Sequence, residues 1–457
     1  ATEREGSGAG GVSKDFTVSA QETTFISRNL PAIRQDESYC WCPEDYKVQV
    51  SFDLQGTQFT PNEYKPYSQK WEDVDKQLLK PENTQFGEHL SLTNPFRPET
   101  KQAYNSEMNF EEKIICAFQV LKKKMAWNGR YQLYSKELEK VIKKGSGSNA
   151  DLNFILISIL KDFGLEAYPV VMSRRSSGML PYNFPSLQKL NTFFVAIHDI
   201  NKQKYVFLDS SMDVPAFNIL PLELSVNKAR MLSLKEKEEK KWVNVMALSH
   251  NKSFMKIDAR IEGNQVKGHR STILYGQEAI EYQANENHKQ DNLVSNPENK
   301  VSQKEKLTVT NLKVKKQEND WALIEEEFDF VLQADRTDDH LYINPMLFPQ
   351  LKSNPFIQTE RVLPIEFPYP YKFTMLSTLT LPEGYEVEEL PQSQSIRSEG
   401  DGLQCKYMIQ QQGNTILLNY VFHLKGYIFL SEQYKQLQEL WAKVIEKNNA
   451  LIVLKKI

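Results

Sequence analysis

The stretch "KKGSGSNADLNFILISILKDFGLEAYPV", Lys143–Val170, decides the fold. Its small residues make a turn. Leu152, Ile155, Leu156, Ile159 and Phe163 then recur at the three-and-four spacing of one helical face. The periodicity predicts a helix over 149–163, and Gly164 stands where a helix ends on a left-handed glycine. Three strand-like runs follow, "AYPVVMS", "TFFVAIHDI" and "KYVFLDSS", with "DINKQK" as a hairpin loop between the last two. A turn of this kind sets its residues against the helix's partial positive charge and free backbone N–H groups. A cysteine there would have a lowered pKa and act as a nucleophile. It would need a histidine from a neighbouring strand and an acid to orient that histidine.

Upstream, Ile114, Ile115, Phe118, Leu121 and Met125 form a second helical stripe over 111–125. Farther upstream, "YKVQVSFDL" alternates Tyr46, Val48, Val50, Phe52 and Leu54 on one face, which predicts a half-buried strand. "SQKWEDVDKQLL" predicts a short helix with Trp71, Val74 and Leu78 on one side. The N-terminal region is expected to be β-rich, short for a complete sandwich, and preceded by a flexible lead-in, "EREGSGAGG".

Downstream, the charge run "LKEKEEKKW" is expected to be a solvated linker or helix end. "MKIDARI" and "ILLNYVFHL" then alternate with period two, and turn signals between many such runs predict a sandwich. Gln283–Lys306 is polar and is expected to be a loop or mobile edge. "SEQYKQLQELWAKVIEKNN" is an amphipathic helix with Tyr434, Leu437, Trp441 and Val444 inward, and "LIVLKK" is a last strand. The expected fold class is α+β. It divides into a partial N-terminal β-rich domain (1–95), a central helix-and-strand domain (96–235) and a C-terminal β-sandwich with a terminal helix (242–457).

Composition excludes several function classes. A net charge of −3 and a pI of about 6.3 leave no electrostatic footprint for nucleic acid. A 40% hydrophobic share with 24 Phe, 20 Tyr and 6 Trp excludes global disorder. No apolar run reaches the ~18 residues of a membrane span. The four cysteines, Cys40, Cys42, Cys116 and Cys405, make no disulfide scaffold. Cys40 and Cys42 lie too close in sequence for a good mutual disulfide and are expected to be ordinary half-buried thiols. Cys116 is expected to pack in a core. The seven histidines make neither H-E-x-x-H nor a zinc spacing with cysteine. No phosphate-binding glycine loop and no G-x-S-x-G elbow occurs. No metal and no cofactor is expected.

The helix–strand–strand–strand order resembles the transglutaminase-like branch of the papain-like cysteine protease fold. "NLPAIRQDESY", "PEDYKVQVSFDL", "MAWNGRYQL", "NPFIQTERVLPIEFPYPY" and "LPEGYEVEELP" extend the resemblance over nearly the whole chain from about Asn29. They are similar to a Bacteroidetes-type architecture in which that domain sits between two β-rich domains of unknown function. The resemblance implies a G-x-C-x-D pattern opening the helix, a histidine near the start of a following strand, and an Asp ending the next. In "GSNAD", Gly147 and Asp151 match, but Asn149 holds the cysteine's place. Thr192 holds the histidine's place, and only Asp209, in "KYVFLDSS", remains. It also implies that part of the first β domain lies upstream of Ala1.

An amide at 149 supplies no thiolate, and a threonine at 192 shuttles no proton near neutral pH. Triad members act as a unit, so losing two costs many orders of magnitude in rate. The resemblance therefore implies a pseudoenzyme, a scaffold or a module that binds an extended polypeptide or an envelope protein by strand addition. It also implies export to the periplasm or cell surface of a Gram-negative bacterium. Two alternatives stand beside it. One is an active protease or protein cross-linking acyltransferase with an atypical nucleophile, Ser148 before Cys116. The other is a structural envelope protein with the middle domain as a spacer. The same residues also suit a plain helix start, with Asn149 as a favoured N-cap type and Asp151 complementing the dipole.

Overall fold

The computed structural model describes residues 22–30, 32–34, 37–50, 56–58, 64–66, 70–82, 84–292, 307–317 and 320–457. They form a mixed α+β fold with several separate sheets. At the centre of its first large core lies the helix Asn149–Asp162, buried at every position from Asn149 to Leu160. The predicted apolar stripe is therefore too narrow: a helix enclosed all round has neighbours on every side. Those neighbours include the Phe110–Lys124 helix and the Thr192–Asp199 strand. Phe118, Leu121, Ile155, Ile159, Phe193 and Val195 close the space between them. Gly164 has φ +75°, and the helix ends there as predicted.

The sheet beside this helix has five antiparallel strands in the order Lys204–Leu208, Thr192–Asp199, Ala167–Met172, Ala229–Met231, Trp242–Val243. Met172 pairs with Thr192, and Val195 pairs with Leu208. That register brings Thr192, which opens its strand, and Asp209, which follows Leu208, to one end of the sheet. The N-terminus of the 149–162 helix meets them there.

The N-terminal region departs from expectation. Pro43–Tyr46 is a 3-10 turn, residues 47–50 join no strand, and Val48 and Val50 are exposed. The remainder of the predicted 46–54 strand, residues 51–54, lies outside the described residues. Alternation alone does not make a strand when no neighbouring strand takes up its hydrogen bonds. Trp71–Leu79 is a helix as predicted, and Gln85–Leu90 is another. Both bury apolar residues, Trp71, Val74, Leu78 and Phe86, in the same core as the 149–162 helix.

The second large core contains an eight-stranded sheet. Its order is Leu307–Gln317, Asp320–Gln333, Gln265–Tyr275, Asn251–Glu262, Tyr371–Thr380, Thr415–Leu424, Leu403–Gln412, Gln394–Arg397. One pair, Asn251–Glu262 with Tyr371–Thr380, is parallel. A four-stranded sheet, Asp335–Arg336, His340–Ile343, Ile452–Lys456 and Tyr385–Glu389, shares that core. So does the Tyr434–Asn448 helix, which buries Tyr434, Leu437, Trp441 and Val444 as predicted.

Two polar segments differ in part from expectation, although "LKEKEEKKW" does contain a short helix, Glu238–Lys241. The first part of Gln283–Lys306 belongs to a helix, Gln277–Asn292, and residues 293–306 lie outside the described residues. Ala279 and Gln283 of that helix are buried, and Gln283 Nε2 donates to the Trp321 carbonyl at 2.8 Å. Nor is "LKEKEEKKW" wholly solvated. Arg230, fully buried, donates to Asp75 (2.6 and 2.8 Å) and to Glu238 (2.7 and 3.0 Å). Lys241 adds a 3.0 Å bond to Asp75. Trp71 and Trp242 flank the guanidinium, 5.7 and 5.0 Å from their ring centres. Charge in a local window reads as solvation, but here it is matched by a carboxylate more than a hundred residues away.

Among the described residues no helix is long and apolar enough to cross a membrane. Among them, too, no group of three or more His, Cys, Asp or Glu side chains is placed to hold a metal ion.

Candidate functional site

Three residues singled out in the sequence meet at the end of the five-stranded sheet. Asn149 Nδ2 donates to Thr192 Oγ1 at 2.8 Å and to the Phe193 carbonyl at 3.0 Å, and lies 3.5 Å from Asp209 Oδ2. The other end of the amide is also engaged: Oδ1 accepts from the Gln132 backbone N–H at 3.0 Å. The Asn149 N–H donates to the Arg130 carbonyl at 3.0 Å. Fractional exposures are 0% for Asn149, 0% for Thr192 and 1% for Asp209. The cluster is a closed piece of polar core, and no substrate reaches it without rearrangement.

Four further residues belong to this network: Asn153, Ser210, Ser211 and Tyr131. Asn153, one helical turn after Asn149, donates to Asp209 Oδ2 (2.9 Å) and to the Phe193 carbonyl (2.8 Å). Its Oδ1 accepts from Ser210 N–H and Oγ at 3.0 and 2.6 Å. Ser211 donates its N–H to Asp209 Oδ1 at 2.9 Å, and its hydroxyl forms a short bond to the same oxygen. The Tyr131 hydroxyl lies 3.4 Å from Ser211 Oγ. A signal was present: two asparagines at i and i+4 in an otherwise apolar helix share one face, and buried amides demand partners.

Burial raises the Asp209 pKa above the ordinary carboxylate range, while hydrogen bonds from Ser211, Asn153 and Asn149 pull it back. Lys122 lies within its field; burial lowers the Lys122 pKa, against the pull of Asp213 and Asp209. Its ammonium donates to the Ser210 carbonyl at 3.3 Å.

Ser148, rather than Asn149, is the helix N-cap. Its Oγ accepts from the Asp151 N–H at 3.3 Å, and Asp151 Oδ2 accepts from the Ser148 N–H and hydroxyl, each at 2.7 Å. This is a capping box closed by an aspartate. Asn149 is the first residue inside the helix, so its side chain is free to reach the sheet. Gly147 is required by the same turn: a Cβ there would lie 2.6 Å from Val141 Cγ1 and 2.8 Å from Asp151 Cβ.

No histidine among the described residues hydrogen-bonds to Asn149, Thr192, Asp209 or Ser148. His198 sits in its strand as expected, stacked on Tyr205 at 4.9 Å and 3.5 Å from Glu166 Oε2. His89 packs on Phe154, one side of the same helix, at 5.2 Å. The cysteines are free thiols, Cys405 buried and the other three half-buried. Burial pushes the Cys40 thiol up to about 11 and raises Cys42 and Cys116 as well, which makes all three poor nucleophiles.

Residues 339–454 match a family described as a domain of unknown function with a solved structure, DUF3858. A crystal structure from Parabacteroides distasonis ATCC 8503, described as "a putative protease", is similar in fold, with a TM-score of 0.51 at 12% identity. The similarity covers 89% of this chain, and this chain spans 63% of that one. No curated protein matches.

Proposed function

We propose that this chain is a transglutaminase-like, cysteine-protease-like protein that has lost its chemistry and serves the bacterial envelope as a scaffold or polypeptide-binding protein. In this reading Asn149, Thr192 and Asp209 occupy the places of the nucleophile, the proton shuttle and the orienting acid. One observation carries it: the Asn149 amide hydrogen-bonds Thr192 and approaches Asp209 at the mouth of a helix, with no histidine among their partners. A thiolate–imidazolium pair is replaced there by neutral groups that hold one another in place. The fold shared with a structure described as "a putative protease" supports the ancestry. The proposed units are the three expected from sequence. The packing of residues 71–90 against the 149–162 helix argues for drawing the first boundary upstream of Trp71.

The complete burial of the three residues favours a second reading, a structural envelope protein with a closed central spacer. Both readings make the same catalytic prediction. Incubation of the purified chain with casein should give no fragments above a buffer blank, and no cross-linked species with an added primary amine. Turnover that disappears in Ser148→Ala would sink both. Fractionation of cells expressing the native gene tests the location, and recovery in the cytosol alone would remove the envelope role.

A further inference from the structure

A cavity lined by none of the residues around Asn149 lies between the Gln277–Asn292 helix and the eight-stranded sheet. Its volume is about 130 Å³. Four rings line it, Tyr371, Phe373, Tyr420 and Phe422, with Glu278 and Gln350 as its longest polar side chains. The rings stand in two pairs across neighbouring strands, Tyr371 with Phe422 at 5.5 Å between centres and Phe373 with Tyr420 at 5.9 Å. Phe373, Tyr420 and Phe422 are buried, and exposed Gln350 marks the mouth.

The charge balance of the cavity is one-sided. Glu278 and Glu281 share a single hydroxyl donor, Tyr369, at 3.1 and 3.2 Å. One hydroxyl proton serves one carboxylate at a time. No lysine or arginine among the described residues lines the cavity. A half-buried carboxylate without a countercharge is costly, and burial raises the pKa of both glutamates. Rings, an unmatched carboxyl and a guest-sized space all select the same ligand chemistry. The space approaches the ~150 Å³ of an apolar cavity that admits benzene.

We propose that this cavity binds an organic ammonium group, either a small quaternary amine or the head of a lysine side chain. The ammonium sits among the four rings and pairs with Glu278. The proposal is independent of the site around Asn149. It assigns a binding role to a surface that includes part of the 339–454 segment.

Calorimetric titration of the intact chain tests it with three probes. They are choline, N-acetyl-lysine methylamide, and 3,3-dimethylbutan-1-ol, the uncharged shape mimic of choline. Saturable binding of either charged probe without binding of the alcohol supports the proposal, and the preferred probe tells a free amine from a side chain. Glu278→Gln, which keeps the shape, should weaken that binding at least tenfold with an unchanged circular dichroism spectrum. The proposal fails if neither charged probe binds at millimolar concentration. It also fails if the alcohol binds equally well, or if a folded Glu278→Gln variant binds as the wild type does. The contrast between the charged probes and the alcohol decides it even if the variant does not fold.

Discussion

Asn149 shows how one side chain can turn a reactive position into a structural one. Its amide has two donors and an acceptor site in use, and ties the helix start to two other segments, the Thr192–Asp199 strand and the stretch at Gln132. Asn149→Leu would leave the Gln132 N–H without its acceptor, at a cost of about 2 kcal/mol in folding stability measured by urea unfolding. Unchanged stability would mean that the amide network is dispensable. Asp209 makes a pH-dependent prediction. Its folded pKa is raised. Its stabilising contribution is therefore fully present below its unfolded value of ~3.9 and is lost as pH rises through the folded value. Asp209→Asn replaces one accepting oxygen with an N–H donor, which must face either the donors of Asn153 and Asn149 or the Ser211 N–H, so the variant is less stable throughout. Its deficit relative to wild type should shrink between pH 4.5 and pH 7.5, because only the wild type loses stability over that range. A deficit that grows with pH would show that Asp209 is ionised at little cost.

At the scale of the element, the 149–162 helix is held by its ends as much as by its faces. The capping box from Ser148 to Asp151 satisfies donors that the buried helix start cannot give to water. Ser148→Ala should cost about 1 kcal/mol, read as a shift in the urea midpoint with unchanged slope. A neutral substitution would leave Asp151 as the whole of the cap. The sequence made this helix, its glycine stop and the three strands after it legible, because each carries its own periodicity. It did not tell Ser148 from Asn149 as the cap. Both residue types favour that position, and only the path of the backbone chooses between them. Likewise the polar Gln277–Asn292 helix has little apolar period of its own and is stabilised by what it packs on.

Across the whole molecule, separate segments are tied by a few polar links with long sequence separations. Arg230 joins Asp75 of the N-terminal helix to the five-stranded sheet. Arg175, in the turn after the Ala167–Met172 strand, stacks on Trp41 at 4.3 Å and donates to the carbonyls of Phe367 and Pro368 at 2.7 and 2.8 Å, which links the N-terminal segment, that turn and the C-terminal core. Asp75→Asn removes the carboxylate that faces both Arg230 and Lys241. The loss should be about 3 kcal/mol, because two buried cations then lack their shared partner. A drop in Tm of the transition that includes Trp71 and Trp242 fluorescence would report it, and an unchanged Tm would show that Glu238 alone suffices.

The sequence by itself determined the α+β class, the helix and strands of the central core, and the residues that stand at its N-terminal turn. Local periodicity and residue chemistry are written along the chain, and they need no partner to be read. Only the tertiary structure decided that Asn149, Thr192 and Asp209 converge, that they are sealed from solvent, and that Asn153, Ser210 and Ser211 complete their network. The same holds for the charge cluster around Arg230 and the ring-lined cavity beside Glu278. Each depends on register and packing between residues tens to hundreds of positions apart, where the energy of a polar group is set by its enclosure rather than by its neighbours in sequence.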